Sequence, residues 1–301
     1  MTTENQLFYQ DFQRNIEVWI KREDQIHSFV SGNKFRKLKY NLLQAKAENQ
    51  KTLLTFGGAF SNHIAAVSAA AKEAGLASIG IIRGEEIGDK IVENPTLAFA
   101  AQNGMRFKFV SREAYRLKET DAFLDKLKHE FGDFFLIPEG GTNALAVKGC
   151  EEILTESDKA FDYVCCAVGT GGTIAGLINS SAPHQKVLGF PALKGDFLGE
   201  AVQKLARHGN WELISGYDFG GYAKVTRELI SFINESFQIN RIPLDPVYTG
   251  KMVFGVMDLI AKEYFPDGSR ILMVHTGGLQ GIQGMNQMLQ KKNLPILITN
   301  V

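Results

Sequence analysis

The feature that most constrains the fold is a regular alternation of apolar, β-forming runs with helical patterns along the chain. TLLTF precedes a helix predicted from about Ser61, SIGIIR precedes one after Pro95, and RFKFV precedes one from about Glu113. Such alternation predicts βαβ units, in which helices cover parallel sheets. We therefore expect an α/β fold.

The second half of the chain continues the same pattern. DFFLIPEGG precedes a helix predicted over Ala144 to Thr155, and DYVCCAVG precedes one from Thr173. The runs Tyr163 to Val168 and Ile271 to Val274 are apolar without alternation, which is typical of strands covered on both faces. Open sheets covered by helices are the expected architecture.

Composition excludes several classes of function. Lys plus Arg equals Asp plus Glu at 33 each in 301 residues, with no long run of like charge, so nucleic acid is not an expected partner. The N-terminal segment lacks a signal-peptide pattern, and no stretch approaches the ~18 apolar residues of a membrane span. We expect a cytoplasmic protein without a membrane partner. Cys150, Cys165 and Cys166 are interpreted as buried thiols, and no metal site is predicted.

Ligands of open parallel sheets bind beyond the carboxyl ends of the strands, so the turns that leave each strand are informative. In TFGGAFSNHIAA, Ser61 and Asn62 begin a helix whose amides can receive a carboxylate. A helix cap alone is the structural alternative. The neighbouring Gly57, Gly58 and His63 favour a binding site, because a cap does not need them.

A second turn, VGTGGTIAG, joins an apolar strand to a helix and is rich in glycine. Its amides and hydroxyls could hold a phosphate, although a turn of this kind also occurs for packing reasons alone. It matches neither the Walker pattern nor the complete GxGxxG fingerprint. The candidate phosphate-binding residues are Gly169, Thr170, Gly171, Gly172 and Thr173.

The segment SGNKFRKLKYN contains the candidate nucleophile. Its basic residues would ordinarily form a solvated helical face. Lys34, however, follows a Gly-Asn turn at a helix start, where the helix dipole and burial lower an amine pKa and favour the free amine. In HTGGLQG, Thr276 could face a ring nitrogen of a ligand, or it could be a simple turn residue.

Six segments, in this order, resemble the fold type II pyridoxal-phosphate enzymes, and in particular the group of 1-aminocyclopropane-1-carboxylate deaminases and D-cysteine desulfhydrases. They are GNKFRKLKYN, GGAFSNH, IPEGGTN, VGTGGTIAGL, DPVYTGK and VHTGG, and they extend over about residues 20 to 285. The resemblance implies a two-domain architecture like that of the tryptophan synthase β-chain. The implied large cofactor-binding domain comprises residues 1–36 and 146–301, and residues 37–145 form the smaller domain.

The resemblance also implies roles for individual residues. Lys34 would carry pyridoxal 5′-phosphate covalently, Lys37 would help the glycine loop hold the phosphate, and Asn62 would contact the 3′-oxygen of the cofactor. The implied contacts of the substrate carboxylate are Ser61, Asn62 and His63. Tyr222 and Tyr248 would approach the substrate, and Lys34 or one of these tyrosines would move the Cα proton.

One position helps to choose an activity within the group. The ring-opening deaminases typically have Glu after the tyrosine of DPVYTGK, whereas this chain has Thr249, as the desulfhydrases do. The resemblance implies that neutral hydroxyls, Thr249 and Thr276, face the pyridine nitrogen, which makes a weaker electron sink. The chain also has Ala59 and Phe60 where the family usually has Ile and Gln, and Phe60 could change which side chain is accepted.

The expected function is α,β-elimination from a small amino acid, most simply D-cysteine, to pyruvate, ammonia and sulfide, by a homodimer. The alternatives on the same fold are a cyclopropane amino acid deaminase and an L-amino acid lyase or dehydratase. Outside this class, a nucleotide-binding module would leave GNK and SNH unexplained. A catalytically silent cofactor-binding protein remains the third alternative.

Overall fold

The computed structural model describes residues 1–195 and 197–299, and these form two helix-covered sheets. Strands and helices are numbered here in chain order. The strands of the first sheet are β1 (Asn5–Asp11), β2 (Ile16–Lys21), β7 (Tyr163–Val168), β8 (Lys186–Pro191), β9 (Trp211–Leu213) and β10 (Arg270–Val274). The strands of the second sheet are β3 (Thr52–Gly57), β4 (Ala77–Arg83), β5 (Arg106–Val110) and β6 (Phe135–Ile137). The expected α/β class is confirmed.

The first sheet has the strand order β1-β2-β10-β7-β8-β9, and the second has the order β5-β4-β3-β6. Every neighbouring pair is parallel except β1 and β2, which form an antiparallel pair at the edge. The central strands β3 and β7 are buried over nearly their whole length. Parallel strands covered on both faces need apolar residues at every position, which is why these runs do not alternate.

The helices of the described residues pack on both sheets. They are α1 (Asn33–Ala47), α2 (Asn62–Ala74), α3 (Pro95–Gln102), α4 (Arg112–Arg116), α5 (Asp121–Phe131), α6 (Ala144–Cys150), α7 (Gly172–Ser180), α8 (Phe197–Gln203), α9 (Arg227–Asn240), α10 (Thr249–Ala261) and α11 (Gly281–Lys291). One apolar cluster joins α9, α10 and α11 to the first sheet, and another joins α1, α2 and α3 to the second. Within the described residues, no helix combines the length and the apolar character that crossing a bilayer requires.

Two local features differ from the sequence-based expectation. The helix predicted to run to Thr155 ends at Cys150, because the Asp158 carboxylate accepts hydrogen bonds from the Thr155 backbone and hydroxyl and starts a separate 3₁₀ turn. The β1–β2 pair was not predicted. It is joined to that turn by a buried ion pair in which Lys21 Nζ lies 2.8 Å from the Asp158 carboxylate.

Helix α1 crosses the predicted domain limit between residues 36 and 37, since it is continuous from Asn33 to Ala47. The strands of the first sheet come from segments that precede and follow the second sheet in sequence. The domain limits themselves stay a prediction.

Gly32 precedes α1 with a φ of 62°. A Cβ there would lie 2.0 Å from the carbonyl oxygen of Thr276, so only glycine permits this approach of α1 to the end of β10.

Helix α1 packs closely on α6 at Gly149. Replacing Gly149 by alanine is expected to lower the free energy of unfolding by about 1–3 kcal/mol, because overpacking against a rigid neighbour forces backbone shifts. The added Cβ would lie 1.9 Å from the carbonyl oxygen of Arg36. Urea denaturation measures the change.

The matched control is Gly199→Ala in α8, where an added Cβ has no heavy atom within 4 Å. Alanine favours a helix over glycine by up to about 1 kcal/mol, so this variant should be at least as stable as the parent. Equal stability of the Gly149→Ala variant and the parent would contradict the close packing of α1 on α6.

Candidate active site

A cavity of about 420 Å³ lies where strands of both sheets end, with lining residues that directly follow β3, β6, β7 and β10. We call it the inner cavity. It is the place at which an open parallel sheet binds its ligands. The predicted site residues that line it are Lys34, Lys37, Ser61, Asn62, His63, Gly169, Thr170, Gly171, Thr173, Tyr222, Tyr248 and Thr276.

Lys34 lies in the first turn of α1 and points into the inner cavity. Burial, together with the neighbouring charge of Lys37, lowers the pKa of its amine to about 7. Its Nζ donates to Asn33 Oδ1 at 3.1 Å, and Asn33 Nδ2 donates to Thr173 Oγ1 at 2.8 Å. Asn33 therefore connects the candidate nucleophile to the glycine loop. A large fraction of this amine is uncharged at neutral pH, as a nucleophile requires.

Lys37 is a buried cation, and burial lowers the pKa of its ammonium. Its Nζ donates to Gly140 O at 3.0 Å and to Thr142 Oγ1 at 3.1 Å, which are neutral oxygen atoms. Removing a cation from water is costly unless a negative charge compensates it. A buried ammonium with neutral partners at a cavity wall fits a site built for an anion.

The glycine loop lies directly beside this ammonium. A Cβ at Gly172 would lie 3.3 Å from Lys37 Nζ and 2.8 Å from Thr142 Oγ1. Gly171 has a φ of 85°, which favours glycine, and α7 begins at Gly172. Free amides at a helix start, together with Lys37, make a phosphate cradle. Hence the residues present fit a cofactor that combines a phosphate with an aldehyde able to reach Lys34.

Ser61 caps α2, and its hydroxyl accepts a hydrogen bond from the Ile64 amide at 3.4 Å. Asn62 also faces the inner cavity, and its Oδ1 accepts from Gln280 Nε2 at 2.9 Å. The start of this helix can offer amides to a carboxylate in the inner cavity. The proposed carboxylate and 3′-oxygen contacts of these residues stay predictions.

His63 is buried, and its ring lies against Gly141. Thr55 donates its hydroxyl to Ile137 O at 2.8 Å, so it accepts from His63 Nε2, which lies 2.8 Å away. This leaves Nδ1 as a lone-pair acceptor without a partner among the described residues. Burial lowers the pKa of His63 well below its usual value, and the charges of Lys34 and Lys37 add to this effect. The ring is therefore neutral, and its contact with a substrate carboxylate stays a prediction.

Tyr222 and Tyr248 form an edge-to-face pair at the wall of the inner cavity, with ring centroids 6.2 Å apart. Burial raises the pKa of both hydroxyls, and that of Tyr248 is well above its usual value. A Cβ at Gly169 would lie 3.1 Å from Cε1 of Tyr248, so the glycine loop also makes room for this ring. Both hydroxyls are protonated at neutral pH and can donate hydrogen bonds to a ligand.

Two of the predicted residues do not line the inner cavity. Gly172 lies just behind the loop surface, and Thr249 is fully buried. The Thr249 hydroxyl donates to Asp245 Oδ1 at 2.7 Å, because Asp245 binds the first turn of α10 with its carboxylate. The expectation that Thr249 faces a ring nitrogen is corrected accordingly. Of the two threonines expected to face the ring nitrogen, Thr249 and Thr276, only Thr276 lines the inner cavity.

Among the other lining residues, five have polar or charged side chains that the motifs did not assign, namely Ser31, Asn33, Arg83, Glu139 and Gln280. Asn33 and Glu139 lie inside the motifs GNK and EGGTN, so the sequence indicated that they are near the site, but not where their side chains point. Arg83 is the last residue of β4. Its position at a strand end is the signal that could have found it.

Comparisons with known proteins agree with this geometry. A family model described as pyridoxal-phosphate dependent enzyme matches residues 6–277. A bifunctional D-cysteine desulfhydrase/1-aminocyclopropane-1-carboxylate deaminase of Arabidopsis thaliana is 32% identical over 88% of this chain and 73% of the relative. A D-cysteine desulfhydrase of Klebsiella pneumoniae is 31% identical over 87% of each chain.

A solved structure of a 1-aminocyclopropane-1-carboxylate deaminase homologue superposes with a TM-score of 0.84 and 29% identity, covering 97% of this chain and 94% of that one. Fold, cofactor class and residue pattern therefore agree. The chain belongs to the pyridoxal-phosphate dependent enzymes of fold type II, in the group of 1-aminocyclopropane-1-carboxylate deaminases and D-cysteine desulfhydrases.

Proposed function

We propose that this enzyme removes a β-substituent from a small amino acid, with D-cysteine as the simplest substrate, and releases pyruvate and ammonia. The observation that carries the proposal is the buried Lys34 amine, with a pKa of about 7, in a cavity shared with the Lys37 ammonium and the glycine loop. The names of the Arabidopsis and Klebsiella relatives support the reaction type.

When bound, pyridoxal phosphate withdraws electrons from the substrate Cα and so makes its proton removable. The chain supplies the other parts of the reaction. The helix start at Ser61 and Asn62 would receive the substrate carboxylate and orient the Cα–H bond. Lys34 would accept or return the Cα proton, and the Tyr248 hydroxyl is a second candidate, because both side chains line the same cavity.

Ring opening of 1-aminocyclopropane-1-carboxylate is the second candidate function, which the printed name of the Arabidopsis relative supports. The lack of a carboxylate at position 249 favours elimination, because Thr249 is bound to Asp245 and the neutral Thr276 hydroxyl is the one that lines the inner cavity. A weaker electron sink suits a substrate with a good leaving group.

A homodimeric state and a cytoplasmic location also remain proposals, which gel filtration and cell fractionation would test.

Replacing Lys34 by alanine is expected to lower pyruvate formation by at least about 100-fold, because it removes both the covalent partner and the candidate base. The absorbance of the protein-bound cofactor should also change. Lys46→Ala is the matched control, since Lys46 lies on the exposed last turn of the same helix. Unchanged absorbance and activity in the Lys34 variant would assign both roles to another residue.

The lowered pKa of Lys34 predicts how cofactor uptake depends on pH. The free amine is the reactive form, so uptake by cofactor-free protein should slow about tenfold per pH unit below the pKa and level off above it. The expected midpoint is about 7, where an ordinary lysine would have a midpoint near 10.5. Stopped-flow absorbance measures the rate. A rate that still rises above about pH 9 would contradict the desolvated amine.

A panel of four substrates separates the two candidate functions. Pyruvate formation from D-cysteine should exceed 2-oxobutanoate formation from 1-aminocyclopropane-1-carboxylate by at least about tenfold, because thiolate is the better leaving group. L-Cysteine and D-serine in parallel report stereochemistry and the need for the thiol. A faster reaction of the cyclopropane acid would make ring opening the principal activity.

A further inference from the structure

A second cavity of about 810 Å³ adjoins the inner cavity, and we call it the outer cavity. Arg83, Tyr222 and Tyr248 are among the residues that line both, so the two spaces share a wall. The inner cavity, at about 420 Å³, is near the lower end of the ~300–1,000 Å³ typical of ligand sites, which leaves little room for a long substrate side chain beside a cofactor. A substrate side chain longer than that of cysteine would therefore extend into the outer cavity.

The outer cavity carries an excess of positive charge. Its basic lining residues are Arg83, Arg112, Arg116, Lys118 and Lys291, and its acidic ones are Glu139 and Asp245. Lys118 Nζ lies 3.4 Å from the Glu139 carboxylate, so this ion pair compensates the charge of one of the two acidic residues. The Asp245 carboxylate accepts backbone N–H bonds at the start of α10 and forms no salt bridge among the described residues. Arg112 is paired with Glu86, which leaves Arg83, Arg116 and Lys291 as lining cations without a salt bridge in the described part of the chain.

Arg83 lies where the two cavities meet. Its guanidinium is 5.7 Å from the ring centroid of Tyr115, and its Nη2 would lie 3.8 Å from a Cβ at Gly58. Gly58 belongs to the turn that leads to Ser61, the proposed carboxylate end of the substrate site. Within the described residues, no carboxylate forms a salt bridge with Arg83. Its charge is thus free to pair with a ligand beyond the substrate Cβ.

The Tyr115 hydroxyl is a second polar group at this place. Tyr115 is 3% exposed and lines the outer cavity, and its hydroxyl makes no hydrogen bond of normal geometry within the described residues, although burial and the nearby Glu139 carboxylate raise its pKa. A buried hydroxyl without a partner costs free energy that a ligand acceptor would recover. The oxygen of an anionic group between Arg83 and Tyr115 would satisfy both side chains.

We propose that the preferred substrates are β-substituted alanines whose substituent ends in a carboxylate or another oxyanion, and that Arg83 selects them. This inference rests on the elimination proposed above and names its substrate class. The Cα–H bond and the Cβ–S or Cβ–O bond break, and the electron pair leaves with the substituent, which departs as a thiolate or alkoxide. Water then hydrolyses the three-carbon product, so one water is consumed and the free thiol or alcohol, pyruvate and ammonia are formed.

The test compares two substrates of equal size, S-carboxymethylcysteine and its neutral amide S-carbamoylmethylcysteine, each as the D and L enantiomer. The loaded parent enzyme should show a kcat/KM at least about tenfold higher for the carboxylate, because a charge-assisted hydrogen bond to arginine is worth about that factor. Arg83→Gln should abolish this preference, and Arg83→Lys should restore part of it. Tyr115→Phe should reduce the preference without abolishing it.

Arg106→Gln is the matched control, since Arg106 is exposed, also lies on a strand of the second sheet and lines neither cavity. It should leave the preference unchanged. Dissociation constants for both compounds, measured from the absorbance change of the cofactor, give a readout that does not need turnover. Circular dichroism establishes that each variant is folded.

The outcomes separate the two proposals. Equal binding and turnover of the acid and the amide by the parent enzyme, or an equal loss of both in Arg83→Gln, would overturn the role of Arg83. In that case, pyruvate from D-cysteine would leave elimination intact. Absence of pyruvate from every substrate, with tighter binding of the acid that depends on Arg83, would instead reject elimination and keep the charge selection.

Discussion

The burial of two amines beside a glycine-rich helix start is the constraint on which the rest of the site depends. Desolvation lowers the pKa of both amines, and the charge of Lys37 further lowers that of Lys34. Only an anion at the start of α7 compensates such an arrangement well. A phosphate there would keep Lys37 charged and leave Lys34 as a neutral nucleophile, so a single ligand group would serve both binding and reactivity.

Close backbone approaches hold these amines in place. Gly32 lets α1 approach the end of β10, Gly149 lets it pack on α6, and Gly172 leaves room for the Lys37 ammonium. A side chain at Gly32 or Gly149 would meet a backbone carbonyl and shift α1, whereas a side chain at Gly172 would crowd the side chains of Thr142 and Lys37. The glycines of this chain are thus as much a part of the site as the residues that touch a ligand.

The strand and helix pattern predicted the fold class, and the turns at strand ends and helix starts indicated Lys34, Ser61 and the glycine loop. The family resemblance was needed for others, such as Lys37, Tyr222 and Tyr248, and together the two sources account for twelve residues that line the inner cavity. Side-chain direction was less predictable. Thr249 follows Tyr248 in the motif, yet its hydroxyl turns to Asp245, which caps α10 from four residues upstream. Asp158 also joins the β1–β2 edge pair to the turn after α6, through Lys21 and Asn5, which are distant in sequence. Tertiary contacts of this kind are not encoded by local patterns.

Arg83 illustrates why substrate choice was the least predictable property. A charged residue after a strand is usually solvated, and no glycine pair or helix cap marks IIRGEE as a binding turn. Its significance comes from its neighbours, since Gly58 and Tyr115 belong to other elements. Lys34 lies on α1 and the glycine loop leads into α7, whereas Arg83 ends β4 and Tyr115 lies on α4, which follows β5. The groups that hold the cofactor and the groups that meet the substrate side chain therefore lie on different parts of the fold. Changes in the second sheet's loops can alter charge selection without moving the amine that carries out the chemistry.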